Sequence, residues 1–142
     1  MPTTTTPTAE ARAMADAQAF VDNWHKAWRD RDGQAYAELL HEDAVLYPPL
    51  GAMTREQLPQ FVDALLAVWP DHRIEVTRWA ATREGELVHV LMEWVATGTL
   101  PGGPIELRGA DRYTLRDGKV TEGVAYFDPR PLLERQQAPT DQ

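Results

Sequence analysis

The sequence predicts an α+β fold, with three N-terminal helices packed on a curved, mostly antiparallel sheet that encloses a pocket. Three observations carry this expectation. Apolar residues recur at three-to-four spacing before residue 70, the helical period, and at every second position after residue 72, the strand period. Helical and strand segments are segregated along the chain, which places helices together on one face of a sheet. The stretch PIELRGADRYTLRDGKV, residues 104–120, alternates cleanly. Glu106, Arg108, Ala110, Arg112, Thr114 and Arg116 form a row suited to water. Ile105, Leu107, Gly109, Asp111, Tyr113 and Leu115 form the opposite row, so one carboxylate sits in the middle of the face to be buried.

Taken in order, residues 10–30 form the first helix, with Met14, Ala17, Phe20 (or Val21), Trp24 and Ala27–Trp28 as its apolar stripe. Asp32 is a plausible N-cap for a short helix, GQAYAELLHED. AVLYPPLG reads as a short strand stopped by two prolines and a glycine. Thr54 and Gln57 make a capping box for a third helix, REQLPQFVDALLAVW, in whose first turn Pro59 is an awkward residue. Four strands follow: HRIEVTRWAATR, then ELVHVLMEWVATGTL across a Glu84–Gly85 turn, then the opening stretch, then KVTEGVAYFD across Asp117–Gly118.

The 142 residues suit one domain, expected over 10–134, with disordered Thr- and Pro-bearing tails over 1–9 and 135–142. A net charge of −8, with basic residues scattered, argues against nucleic acid as a partner. No apolar run approaches the roughly 20 residues that span a bilayer, so no membrane partner is expected. The absence of Cys excludes disulfides and thiolate chemistry and fits a cytoplasmic setting. The absence of Ser excludes a Ser–His–Asp triad. His25, His41, His72 and His89 are too scattered for a metal-ligand motif, and each reads as solvated or structural, so no metal is expected. PGGP at 101–104 reads as a loop and not a phosphate cradle, since it does not lead from strand to helix.

PDHRIEV after a helix, EWVATGT closing a strand, GADRYTLRDGKVTE and then YFD fall in the order and spacing of the SnoaL-like polyketide cyclases. Over roughly residues 12–134 the chain resembles that family of the NTF2-like superfamily, whose relatives include ketosteroid isomerase, scytalone dehydratase and limonene epoxide hydrolase. The resemblance implies an NTF2-like cone. It puts Asp111 where the cyclases have their acid/base aspartate and ketosteroid isomerase its protonated oxyanion-hole aspartate. Other positions depart from the relatives. Pro48 stands near the isomerase's proton-abstracting aspartate, Trp24 near its helix tyrosine, and Leu100 where many cyclase-like relatives have histidine. Met92, Trp94 and Ala125 occupy the region of the epoxide hydrolase triad.

Asp111 is therefore the candidate catalytic residue, a carboxyl whose pKa an apolar wall would raise. A simpler reading pairs it with Arg78 or Arg73 to fix the strand. Leu107 and Tyr113 share its face. Parity and the resemblance add Met92, Trp94, Ala125 and Phe127 as pocket wall, and the first helix adds Phe20 and Trp24. Tyr47 is the expected second polar group. Together these imply cofactor-independent cyclisation, isomerisation or dehydration (a cyclase, isomerase or lyase) on a small apolar carbonyl compound such as a polyketide or terpenoid. The alternative is a non-catalytic ligand-binding or dimeric scaffold protein. The resemblance also implies a homodimer through the outer face of the sheet.

Overall fold

The computed structural model describes residues 6–137. Helix α1, Ala9–Arg29, starts where the Thr8 hydroxyl accepts the Ala11 N–H at 3.0 Å, and carries Glu10 in its first turn and Lys26 and Arg29 in its last. Its buried stripe is Ala13, Ala17, Phe20, Val21, Trp24 and Ala27. Met14, expected on that stripe, is 48% exposed; the stripe passes through the smaller Ala13 beside it. Asp32 caps α2, Gly33–Ala37, by accepting the Ala35 N–H.

This second helix is shorter than its sequence suggests. From Leu40 the chain is extended as β1, Leu40–Tyr47, because Leu40 pairs in parallel with Val120. That long-range ladder overrides the local helical preference of ELLHED. His41, expected at a helix end, lies instead in β1 and bonds the Arg116 carbonyl at 2.9 Å. A two-residue strand β2, Met53–Thr54, follows, and then a 3-10 turn, Arg55–Gln57, with the Thr54/Gln57 capping box in place. Helix α3, Leu58–Val68, begins so late that Pro59 falls in its first turn, where its missing N–H is harmless.

The long strands are β3, Arg73–Glu84; β4, Leu87–Leu100; β5, Gly103–Arg116; and β6, Lys119–Tyr126. They complete a mixed sheet in the order β2-β1-β6-β5-β4-β3, in which β1 and β6 run parallel and the other pairings are antiparallel. A further helix, α4, Arg130–Arg135, was not expected from the sequence; its Arg135 carbonyl accepts the Gly102 N–H and ties it to the β4–β5 turn. Among the described residues the architecture is thus α+β, four helices on a six-stranded mixed sheet. Of the tails expected at 1–9 and 135–142, residues 1–5 and 138–142 lie outside the described residues; Ala9 and Arg135 are helical.

Helix α1 packs on β3 and β4, and the core lies between them. The inward row of β5 is as the alternation predicts: Ile105, Leu107, Asp111, Tyr113 and Leu115 are all buried. Thr114, assigned to the watery row, is also buried. His89 and Arg112 lie over it and both hydrogen-bond its hydroxyl. None of the described helices is long and apolar enough to cross a membrane.

Candidate functional site

A cavity of about 150 Å³ lies between the inner face of the sheet, α1, α2, α3 and α4. Its wall is mainly apolar and aromatic, as ligand cavities usually are. The side chain of Asp111, only 6% exposed, forms part of that wall. Of the residues expected to line a pocket, Trp24, Tyr47, Trp94 and Leu107 do so, together with Tyr113, Ala125 and Phe127.

Phe20 and Met92 do not line it. Both are buried, but period alone fixes the face of an element and not the height along it. On β4 the inward row passes from solid core at Val90 and Met92 to cavity wall at Trp94 and Ala96. Phe20, one turn before Trp24, packs its ring 4.9 Å from that of Tyr113. Tyr47 is 44% exposed and its hydroxyl has no hydrogen bond among the described residues, so it stands at the cavity's edge.

The Asp111 carboxyl has no cationic partner among the described residues. Arg73, a candidate for that role, pairs with Glu75 in solvent. Instead the Trp94 indole N–H donates to Asp111 Oδ1 at 2.9 Å and the Tyr113 hydroxyl donates to Oδ2 at 3.0 Å. The Tyr113 oxygen accepts the Trp24 indole N–H at 3.1 Å, and Tyr36 lies hydroxyl to hydroxyl with it at 2.6 Å. Since Tyr113 has a single proton and places it on Asp111, Tyr36 is the donor to Tyr113. Two indoles and two phenols thus form a chain of neutral donors that ends on one carboxyl.

Burial pushes the Asp111 pKa up to about 6, against the opposing pull of the Trp94 and Tyr113 hydrogen bonds. The Tyr36 and Tyr113 hydroxyls are pushed upward too, by burial and then by the negative charge on Asp111, so both remain protonated donors. Removing one donor exposes the competition. Tyr113→Phe is expected to raise the Asp111 pKa above about 6, read from carbon-13 chemical shifts of the carboxyl through a pH titration.

Two glycines let the rings lie where they do. Gly109 faces Trp94 across the β4–β5 ladder, and a Cβ on it would come within 2.5 Å of the indole. Gly123 faces Tyr113 across the β5–β6 ladder, and a Cβ there would come within 2.8 Å of the phenol ring. Gly109→Ala is therefore expected to displace the indole, cost about 1–3 kcal/mol of stability in a denaturant melt, and raise the Asp111 pKa by weakening the Trp94 bond.

Sequence reasoning missed Tyr36 and His72. Tyr36 is buried on the short α2, and nothing local marks its facing. His72, read from the sequence as solvated or structural, is 9% exposed and lines the cavity, its ring 5.0 Å from that of Trp28 and 4.7 Å from that of Trp69. The signal was present: extending the β3 alternation backward from Val76 and Ile74 puts His72 on the inner face. Burial and then the positive charge of Arg31 lower its pKa to about 4, outweighing Asp71 and its own backbone carbonyl. His25, by contrast, lies on the partly exposed side of α1. Among the described residues no three His, Asp or Glu side chains are grouped to hold a metal ion.

Comparison with known proteins supports this arrangement at the level of fold and family. No curated protein matches the chain significantly in sequence. Among solved structures, a protein of Catenulispora acidiphila with a ketosteroid isomerase-like fold, solved in complex with trimethylamine, superposes with a TM-score of 0.70 at 24% identity, covering 84% of this chain and 93% of its own. IdmH of Streptomyces antibioticus, described as a candidate polyketide cyclase, gives 0.67 at 22% identity over 84% and 96%. AclR of Streptomyces galilaeus, described as a candidate hydroxylase, gives 0.67 at 23% identity over 87% and 96%. The fold is therefore that of the ketosteroid isomerase-like, NTF2-like proteins. A family model described as the SnoaL-like domain matches residues 21–123, and the chain belongs to that family.

Proposed function

We propose that the protein is an enzyme of SnoaL-like type in which Asp111 exchanges a proton with a small, largely apolar carbonyl compound. One observation carries the proposal. A carboxyl group held by neutral donors alone sits in the wall of an apolar cavity, with a pKa near 6. A group so poised is populated in both protonation states near neutral pH, which suits a general acid/base. The neutral form can donate to a ligand carbonyl as it becomes an enol, and the carboxylate can remove the α-proton. Trp94 and Tyr113 stabilise the carboxylate form by donating to it, and Tyr36 and Trp24 support Tyr113. Cyclisation, isomerisation and dehydration through an enol all use these steps, and none requires a cofactor. Polyketides and terpenoids have the requisite apolar body and carbonyl. A cone in which helices and curved sheet enclose this cavity, and a homodimer through the outer sheet face, where Leu91 is 51% exposed, belong to the same proposal.

The test is α-carbon deuterium exchange in D2O, followed by proton NMR, on a panel of aryl and alicyclic ketones. Enzyme-dependent exchange that is lost in Asp111→Asn supports the proposal. Exchange that persists undiminished in the variant, or that no ketone undergoes, rejects it. The second reading, a binding protein without turnover, is favoured by Pro48, Leu100 and Met92 at positions where relatives have reactive groups. It predicts ketone binding by both forms and exchange by neither.

A further inference from the structure

Polar atoms around Asp111 and around His72, both in the cavity wall, are matched very differently. Around Asp111 the carboxyl, both phenols and two indoles are all hydrogen-bonded. Around His72 the opposite holds. Among the described residues, the buried side-chain polar atoms without a partner are Nε1 of Trp28 and Nε1 of Trp69, the two rings that flank His72. No other described residue hydrogen-bonds the His72 ring, which lines the cavity and has only its own backbone as a partner. Folded proteins rarely leave buried polar groups unmatched, and two unmatched indoles beside one imidazole point to a partner that arrives with the ligand.

The chemistry of that partner follows from the imidazole. With its pKa lowered to about 4 by burial and Arg31, the ring is neutral at pH 7. Its own backbone carbonyl, which Nδ1 alone can reach, favours the N–H there. Nε2 is then left with an open lone pair, an acceptor in an apolar surround. Trp28 and Trp69 fix the ring's orientation by their contacts, so the acceptor is directional. The group that meets it must donate, carry no charge and tolerate apolar walls. A hydroxyl does all three, and its oxygen can in turn accept from an indole N–H.

We propose that His72 is a specificity-determining residue of the cavity, accepting a hydrogen bond from a hydroxyl group on the ligand. The substrate class narrows accordingly to apolar carbonyl compounds that carry a hydroxyl at the end remote from the carbonyl. The carbonyl end rests on the reading of Asp111 given above; the hydroxyl end does not. The contacts Trp28–Tyr36, at 5.7 Å between rings, and Tyr36–Tyr113 separate Asp111 from His72. His72 also borders a second, charged pocket with His25, Arg29, Arg31, Asp71, Arg73 and Glu75, which would favour an anion instead.

The probes are 2-naphthol and 2-methylnaphthalene, matched in shape and differing in one donor, with 2-naphthoate for the charged pocket. Binding at pH 7 is read by tryptophan fluorescence and by the nitrogen-15 shift of His72 Nε2. Naphthol is expected to bind at least tenfold more tightly than methylnaphthalene, about 1.4 kcal/mol, and to move the Nε2 resonance. His72→Phe should abolish the preference, and Asp111→Asn should retain it. The nitrogen shift needs only the unmodified protein and decides the matter should His72→Phe not fold. Overturning results are an unmoved Nε2 resonance, a preference that survives His72→Phe or disappears in Asp111→Asn, binding of neither uncharged probe, or a His72 response to naphthoate alone. None of these readouts depends on turnover, so an inactive protein would sink the catalytic proposal and leave this one standing.

Discussion

Asp111→Asn is expected to slow enzyme-dependent α-proton exchange by two to four powers of ten, the usual range for loss of a positioned acid/base, equivalent to about 3–5 kcal/mol in the barrier. The fold should survive the change. The Asn carbonyl can accept the Trp94 N–H in place of Oδ1, and the Asn amide can donate to the Tyr113 oxygen while that hydroxyl turns toward Tyr36. Geometry is thereby kept and only the transferable proton is lost. In the unmodified protein, a rate limited by proton abstraction should rise with pH and level off above about 6, where the carboxylate predominates. Residual exchange in the variant should show no such inflection. A variant that retains both the rate and the inflection would remove Asp111 from the chemistry.

The second large effect concerns stability against pH, where Asp111 and His72 act in opposite directions. Asp111 has a folded pKa near 6 against 3.8 for an ordinary aspartate in water. The folded state thus holds its proton more tightly, and the contribution present at low pH is lost as pH rises from about 4 to about 6. His72 has a folded pKa near 4 against 6.5, so its contribution is present above pH 6.5 and lost as pH falls toward 4. Each shift is about two units or slightly more, or about 3 kcal/mol. Across pH 4–6 the two nearly cancel, and denaturant melts of the unmodified protein should show little slope from this pair. Asp111→Asn should unmask the histidine, giving stability that rises by about 3 kcal/mol from pH 4 to pH 6.5. His72→Gln should unmask the aspartate, giving a fall of similar size over the same range. Parallel curves for all three proteins would show that neither group titrates as its surroundings imply.

The placement of Asp111 was legible in the sequence because alternation is a local property of a strand. Ile105, Leu107, Tyr113 and Leu115 around it obey the same rule, and one polar residue in an apolar row needs no knowledge of the rest of the chain. Its partners were less accessible. Trp94 donates to Asp111 because β4 and β5 pair in a register that brings Trp94 opposite Gly109, two residues along the strand. Parity names the face but not that register. Leu40 shows the same limit in the fold: the helical character of ELLHED is real, but a parallel pairing with Val120, eighty residues away, decides the outcome. His72, the first residue of HRIEVTRWAATR, was within reach of the alternation, but one residue at the end of a strand carries too little pattern to fix its face. Tyr36 was not, since the facing of a one-turn helix is fixed by what it docks against.

The pair of glycines beneath the two aromatic donors has a bearing on how such a protein could change over time. Neither Gly109 nor Gly123 has a polar side chain, yet each governs how closely a ring can approach the carboxyl's surroundings. Adding a single methyl group on a neighbouring strand would alter acid strength while leaving each proton-bearing residue intact. Descendants of this chain could therefore shift their working pH by mutations that a comparison of reactive residues alone would overlook.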